Sequence, residues 1–381
     1  MAKSRAALAC FLAYAVMSGM LAPMGIISQP LAAFLGVDVP TATAGFSWLT
    51  MGIFAGAVAA LWLLAAAPLR PLLVLVYLSI AALLVSLSVA GSATGVGLRL
   101  ALVGALCGLG LPGAAHVIAA TFSAERRTAL LVLTDGAFSV AGIVAGAVAS
   151  TALASSGPWY QVYLWVAGAA GLAALLFAFS PLPATEARRA AVARPRWPAR
   201  AWWLIAALGG YTLGQSSLLL WLPQFAQSLG SEPEAGGALI GRYWSGMFAT
   251  QLFVAAAVLR FGERRLLAAA ALGTALGAAA VTMAGSFAAL LWLVPAWGFA
   301  NFALLKVVIG FAVSATRIES PTFISALLLG ATGGTACGPA ISSWLVGQGG
   351  ISAALLFAVL SLGFTAAVLL AQLRLRPLAA R

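Results

Sequence analysis

Most of this 381-residue sequence runs in stretches of about twenty apolar residues, joined by connections of only a few. A helix rises about 1.5 Å per residue, so each stretch is long enough to cross a hydrocarbon layer about 30 Å thick. Hydrocarbon offers no partner for a backbone N–H or C=O, so a crossing segment must be a helix or part of a closed barrel. The stretches are too long and too uniformly apolar for barrel strands, which alternate. Composition agrees, since 63% of residues are hydrophobic and 7% charged, with a mean hydropathy of +1.07; no soluble core absorbs that much apolar surface. The expected fold class is an all-α membrane protein with twelve transmembrane helices, near 7–28, 42–64, 71–90, 98–122, 128–153, 160–180, 201–227, 237–259, 266–283, 288–311, 321–345 and 352–373.

The net charge of +12 would suggest a nucleic-acid partner in a soluble chain, but here the basic residues follow the connections. Counting alternate connections, one side holds Lys3, Arg5, Arg70, Arg126, Arg127, Arg188, Arg189, Arg194, Arg196, Arg200, Arg260, Arg264, Arg265, Arg317, Arg374, Arg376 and Arg381. The opposite side carries the acids Asp38, Glu232 and Glu234, with Arg99 and Arg242 at or just inside helix ends. The positive-inside rule then places both termini in the cytoplasm of a multi-pass protein of the bacterial inner membrane, with no nucleic-acid partner. Lys3 and Arg5 ahead of an apolar stretch resemble a secretory signal, but the run of further spans favours an uncleaved first helix. Cys10, Cys107 and Cys337 fall in separate apolar segments without metal-ligand or paired spacing, so neither disulfide nor zinc is indicated.

The longest polar stretch follows the sixth segment, with four prolines and five arginines between Pro181 and Arg200. It divides the chain into a bundle over 1–180, a basic cytoplasmic linker over 181–200 and a second bundle over 201–381. An internal match supports the division: GFSWLTMGIF from Gly45 aligns with GRYWSGMFAT from Gly241, pairing Gly45 with Gly241, Trp48 with Trp244 and Met51 with Met247. Leu35-Gly36 and Leu229-Gly230 stand at nearly the same offset upstream. Aligning Gly108 with Gly298 further sets His116 opposite Lys306. Both halves start from the same side, so the repeat is parallel. Pairs of glycines four apart, Gly142 with Gly146 and Gly330 with Gly334, suit helices in close contact, and Pro23, Pro112, Pro223 and Pro339 are expected to interrupt segments 1, 4, 7 and 11.

Four ionisable residues, His116, Asp135, Arg242 and Lys306, lie within the apolar segments. A charge there costs about 2.5–3.5 kcal/mol on insertion scales, which makes each a functional candidate. His116 lies nine residues before Glu125 and Asp135 eight after Arg127, so both sit at similar depth and form a candidate proton-coupling pair. The plainer alternative is that Asp135 only hydrogen-bonds a neighbour such as Thr134. Lys306 needs an acid, a carbonyl dipole or an anionic ligand, and Asp135 is the embedded acid available to pair with it in one state and leave it in another. Arg242 can bind a carboxylate or phosphate through two parallel bonds, or reach the loop acids Glu232 and Glu234. Tyr211 and Gln215 lie four apart in segment 7, and Trp297 and Asn301 four apart in segment 10, as residues that can line a cavity. Trp221 and Trp244 can stack on a ligand ring, or simply pack.

LLVLTDGAFSVAG from Leu130, YTLGQSSLLLWLPQFAQSLG from Tyr211 and RYWSGM from Arg242 occur in an order that resembles the major facilitator superfamily, in its TsgA-like branch near the fucose-permease type. The resemblance spans essentially the whole chain and implies two six-helix bundles related by pseudo-two-fold symmetry, rocking by alternating access about a midplane site. The superfamily's glycine, acid and basic loop after segment 2 is degraded here to AAAPLRP, while RFGERR from Arg260 to Arg265 is closer to it. Glu263 with Arg264 or Arg265 is therefore the remaining candidate for a gate-locking ion pair.

The expected function is secondary active transport of a small polar solute, anionic or zwitterionic because Arg242, Lys306 and His116 outnumber Asp135, driven by a proton gradient with no other cofactor. The expected partners are that solute, protons and the bilayer, with the chain a monomer. A neutral-sugar symporter and a drug or metabolite exporter are the alternatives. Segment 5 lacks the Gly-Pro element that drug/proton antiporters of the superfamily place near its end, and Gly338-Pro339 lies in segment 11. No phosphate-binding loop points to ATP, and a single His without a His/Glu cluster does not make an enzyme.

Overall fold

A computed structural model of the chain describes residues 2–180, 182, 197–316, 318 and 321–375, and among these all regular structure is helical. The basic linker expected over 181–200 falls mostly outside the described residues, as do Arg317, Arg376 and Arg381. The helices are α1 (Ala2–Leu21), α2 (Met24–Leu35), α3 (Val39–Ala44), α4 (Phe46–Ala66), α5 (Leu69–Ser86), α6 (Ala93–Thr121), α7 (Ala124–Ala154), α8 (Gln161–Ala178), α9 (Ala199–Ser228), α10 (Pro233–Phe261), α11 (Glu263–Thr282), α12 (Phe287–Thr316) and α13 (Pro321–Arg374). Ten helical stretches among the described residues are long and apolar enough to span a bilayer. One of them, within α13, breaks at Gly349 and Gly350, where φ reaches +71° at Gly350, and so supplies two crossings. With α10, which is as long but more polar, the number of crossings agrees with the sequence expectation.

Helix ends follow local chemistry. Asp38 accepts a bond from the Thr41 N–H at 3.1 Å and caps α3, and Ser92 does the same for Gly95 at the start of α6. Gly36 closes α2 in the left-handed conformation, a place where glycine carries no Cβ penalty. The proline expectation is corrected in part. Pro23 separates α1 from α2, but Pro112, Pro223 and Pro339 lie inside continuous helices. Proline removes one N–H, and packed neighbours hold the remaining turns.

The chain forms two compact units, divided between residues 192 and 193. In the first, α4 lies along α6, α5 along α8, and α1 along both α7 and α8. In the second, α9 packs along α13, α10 along α12, and α11 against α12 and α13. The closest helix pairs are set by glycine. In the first unit Gly104 and Gly108 face the carbonyls of Leu49 and Ile53, each 55 residues earlier, and Gly298 of the second faces that of Tyr243, also 55 earlier. Conversely, Gly52 and Gly56 face the carbonyls of Ala101 and Ala105, 49 residues later, and Gly246 faces that of Pro295, again 49 later. A Cβ at any of these glycines would overlap the facing oxygen. Gly330 and Gly334 meet α9 in the same way, at Ile205 and Gly209, while Gly142 and Gly146 are buried in α7.

The facing carbonyls fit Gly246 and Gly298 to Gly56 and Gly108, the match that sets His116 opposite Lys306, and equally to Gly52 and Gly104, one turn away.

At one end of the second unit, buried Arg200 donates to the Ala315 carbonyl at 3.1 Å and the Gln372 carbonyl at 2.8 Å, and Arg264 donates to the Leu373 carbonyl. Two guanidinium groups thus cover open carbonyls at the C-terminal ends of α12 and α13, where the helix dipole favours cations.

Gly104→Ala is expected to lower stability by about 1–3 kcal/mol through overpacking against Leu49. Gly168→Ala, where an added Cβ meets nothing within 4 Å, is expected to leave stability unchanged or raise it. Thermal unfolding of the two purified variants followed by tryptophan fluorescence checks this; equal midpoints would refute the close-contact account.

Candidate functional site

A polar cluster lies inside the second unit, where α9, α10 and α12 meet. One turn separates Tyr211 from Gln215 on α9, and another separates Trp297 from Asn301 on α12, so each pair presents one helix face. Both amides converge on the hydroxyl of Tyr243 from α10: Gln215 Nε2 donates at 2.5 Å and Asn301 Nδ2 at 2.6 Å. The Tyr211 hydroxyl donates to the Asn301 backbone carbonyl at 3.0 Å. Tyr243 also packs on Trp297 with ring centroids 4.9 Å apart, and against Trp244 edge-on at 5.5 Å. A phenolic oxygen can accept two bonds, so Tyr243 takes one from each amide at once. Asn301 Oδ1 and Trp297 Nε1 remain buried without a hydrogen-bond partner among the described residues.

Burial sorts the residues expected to line a cavity. Tyr211, Trp221, Trp297 and Asn301 are each no more than 1% exposed and Trp244 is 5% exposed, whereas Gln215 is half-buried. The Trp221 indole donates to Ser342 on α13 at 3.2 Å, and Ser342 in turn donates to the Gly338 carbonyl at 2.7 Å. These side chains build the interior of their own bundle, with Gln215 reaching its surface. Tyr243, at the centre, was not among the expected residues; an apolar-run tyrosine next to a tryptophan gives no sequence sign of a buried hydroxyl.

The two cations of this unit differ in setting. Arg242 is exposed near the start of α10 and donates to the Leu291 carbonyl at 3.4 Å, not to Glu232 or Glu234. Lys306 is half-buried in α12, its ammonium 5.0 Å from the Phe302 ring centroid, one turn earlier. Glu263 accepts a bond from Ser314 at 3.0 Å while Arg264 binds the Leu373 carbonyl, so both make their bonds within the second unit.

In the first unit, half-buried Asp135 on α7 lies next to Thr134, whose hydroxyl bonds the Leu131 carbonyl at 2.7 Å. Tyr14 of α1 lies beside Thr134 and within electrostatic range of Asp135. His116 is exposed on α6. Tyr14, like Tyr243, is a polar neighbour that the sequence did not single out. Among the described residues no group of three or more His, Cys, Asp or Glu side chains is placed to hold a metal ion, and Cys10 and Cys107 are buried as free thiols.

No protein-family model matches the chain. It is 27% identical over 358 residues to protein TsgA of Salmonella enteritidis, covering 91% of this chain and 89% of that protein. The TsgA homolog of Erwinia tasmaniensis is 26% identical over 350 residues, with the same shares covered. Among solved structures, a mutant of the nucleoside transporter NupG superposes with a TM-score of 0.73 at 14% identity, covering 98% of this chain and 99% of that one. A bacterial homolog of the human lysosomal transporter Spinster, in an inward-facing and occupied conformation, gives 0.73 at 17% identity, with 97% of each chain covered.

Tyr243→Phe leaves two amide groups facing an apolar ring edge and is expected to destabilise the protein by about 1–3 kcal/mol per orphaned donor. A double-mutant cycle with Asn301→Leu, read by thermal unfolding, should show strong coupling; additive losses would mean the hydroxyl does not tie the helices together.

Proposed function

We propose that this chain, a relative of the TsgA proteins with the major facilitator fold and so a multi-pass membrane transporter rather than an enzyme, moves a small anionic or zwitterionic solute across the bacterial inner membrane, coupled to protons. Alternating access of two bundles with both termini cytoplasmic is the mechanism we infer, and the matching glycine registers of the two units support treating them as repeats.

The observation that carries the reading is the charge inventory of the spans: Arg242, Lys306 and His116 against the one acid Asp135. Each is expensive in hydrocarbon, and an excess of cations favours an anionic partner. In this scheme Asp135 takes up and releases the proton, with Tyr14 of α1 as its polar neighbour. Arg242, free of the loop acids, offers its fork to the solute carboxylate or phosphate, and Lys306 adds a second positive charge. Gln215, at the edge of the Tyr243 cluster, offers an amide to a polar group of the solute, and Tyr243, Asn301, Tyr211, Trp244 and Trp221 hold that edge rigid.

Proteoliposomes with an imposed pH gradient, screened against organic anions, zwitterions and neutral sugars, test this. Asp135→Asn is expected to abolish pH-driven accumulation while keeping solute exchange at zero gradient; full pH-driven uptake by the variant would remove Asp135 from coupling. Arg242→Ala is expected to weaken solute binding about 10- to 100-fold, as loss of a charge-assisted pair does, with partial recovery in Arg242→Lys. A solute preference unchanged by either substitution would contradict the anion-binding role.

A further inference from the structure

In the first unit α7 and α8 both pack along α1 but barely touch each other, and this leaves a groove with α1 as its floor. The cavity measures about 340 Å³, within the range of small-molecule sites. Its floor is cut by Ala15 and Gly19, its walls include Ala137, Val144 and Val166, and the rim carries Trp165, which is 68% exposed. All of its lining side chains are apolar or aromatic. The groove narrows at Gly19, where even one added methyl would meet Val166.

A dry apolar groove on a membrane-embedded bundle takes an apolar occupant, not water. Helix register says which one. Arg5 precedes Leu12 by seven residues, two turns, on α1; Arg126 precedes Ala137 by eleven, three turns, on α7. Both arginines are exposed and continue the groove-lining faces toward the end of the bundle at which the chain starts. At about 1.5 Å per residue they stand roughly 10 and 16 Å beyond the groove, the span from the interior of a leaflet to its headgroups. An acyl chain in the groove would therefore bring a lipid phosphate to two guanidinium groups.

We propose that the α1/α7/α8 groove is a binding site for an anionic diacyl phospholipid of the leaflet at the N-terminal end of α1, with one acyl chain between α7 and α8 and the phosphate held by Arg5 and Arg126. The inference needs only the membrane placement of the bundle, and its readout is independent of transport.

Native mass spectrometry of the detergent-purified full chain, titrated separately with phosphatidylglycerol and phosphatidylcholine, tests it. The intact protein is expected to retain one phosphatidylglycerol in preference to phosphatidylcholine. Arg5→Gln and Arg126→Gln should each reduce that preference about fivefold, the effect of one basic residue at a lipid surface. Ala141→Phe, which fills the groove, should reduce retention of both lipids; because it also risks misfolding, a benzophenone side chain at Val144 provides a second measure and should cross-link to lipid. Equal retention of the two lipids by the unaltered protein, arginine variants that keep the preference, or a Val144 adduct to a second protein copy would each overturn the proposal.

Discussion

The protein depends on backbone-to-backbone contact between helices in a medium that supplies neither water nor a hydrophobic drive for helices to associate. In hydrocarbon, association comes from close packing, and glycine allows the closest. Gly52, Gly56, Gly104 and Gly108 bring α4 and α6 together, and Gly246 with Gly298 does the same for α10 and α12, at identical sequence separations. That common geometry is the strongest physical sign of an internal repeat. It also fixes where each polar side chain of α6 and α12 points, because a helix locked by carbonyl contact cannot rotate.

On that framework the second unit carries a polar interior. The Tyr243 hydroxyl gathers two amides, and Tyr211 bonds the backbone of α12, so three helices are joined by groups whose separation would leave donors unpaired in an apolar medium. Arg200 and Arg264 join helix ends of the same unit through carbonyls. Both are among the basic residues that the charge pattern assigns to topology alone; the structure gives them a second role as caps. Glu263, the candidate gate acid, bonds Ser314 in this end of the bundle.

The spans were legible because twenty apolar residues leave few alternatives, and the two halves because the Gly45 and Gly241 blocks survive as recognisable text. Which residues of α6 and α12 correspond is not fixed by that text, and the facing carbonyls accept Gly298 in the place of either Gly104 or Gly108, one turn apart. Prolines misled because Pro112, Pro223 and Pro339 fit within helices that neighbours hold in place. The candidate site was legible as residue types, since Tyr211, Gln215 and Asn301 do come together. Their burial around Tyr243, and the placing of Tyr14 beside Thr134 and Asp135, depend on contacts between helices far apart in sequence, which one chain without its fold does not reveal.

The central claim, that an acid in an otherwise cationic membrane interior couples proton movement to an anionic or zwitterionic solute, is most directly tested by recording lumenal pH in proteoliposomes while the solute is added at zero initial gradient. The account predicts a solute-evoked pH change that saturates with solute and is absent in Asp135→Asn vesicles. Solute movement without any pH change, or a pH change that persists in that variant, would contradict it.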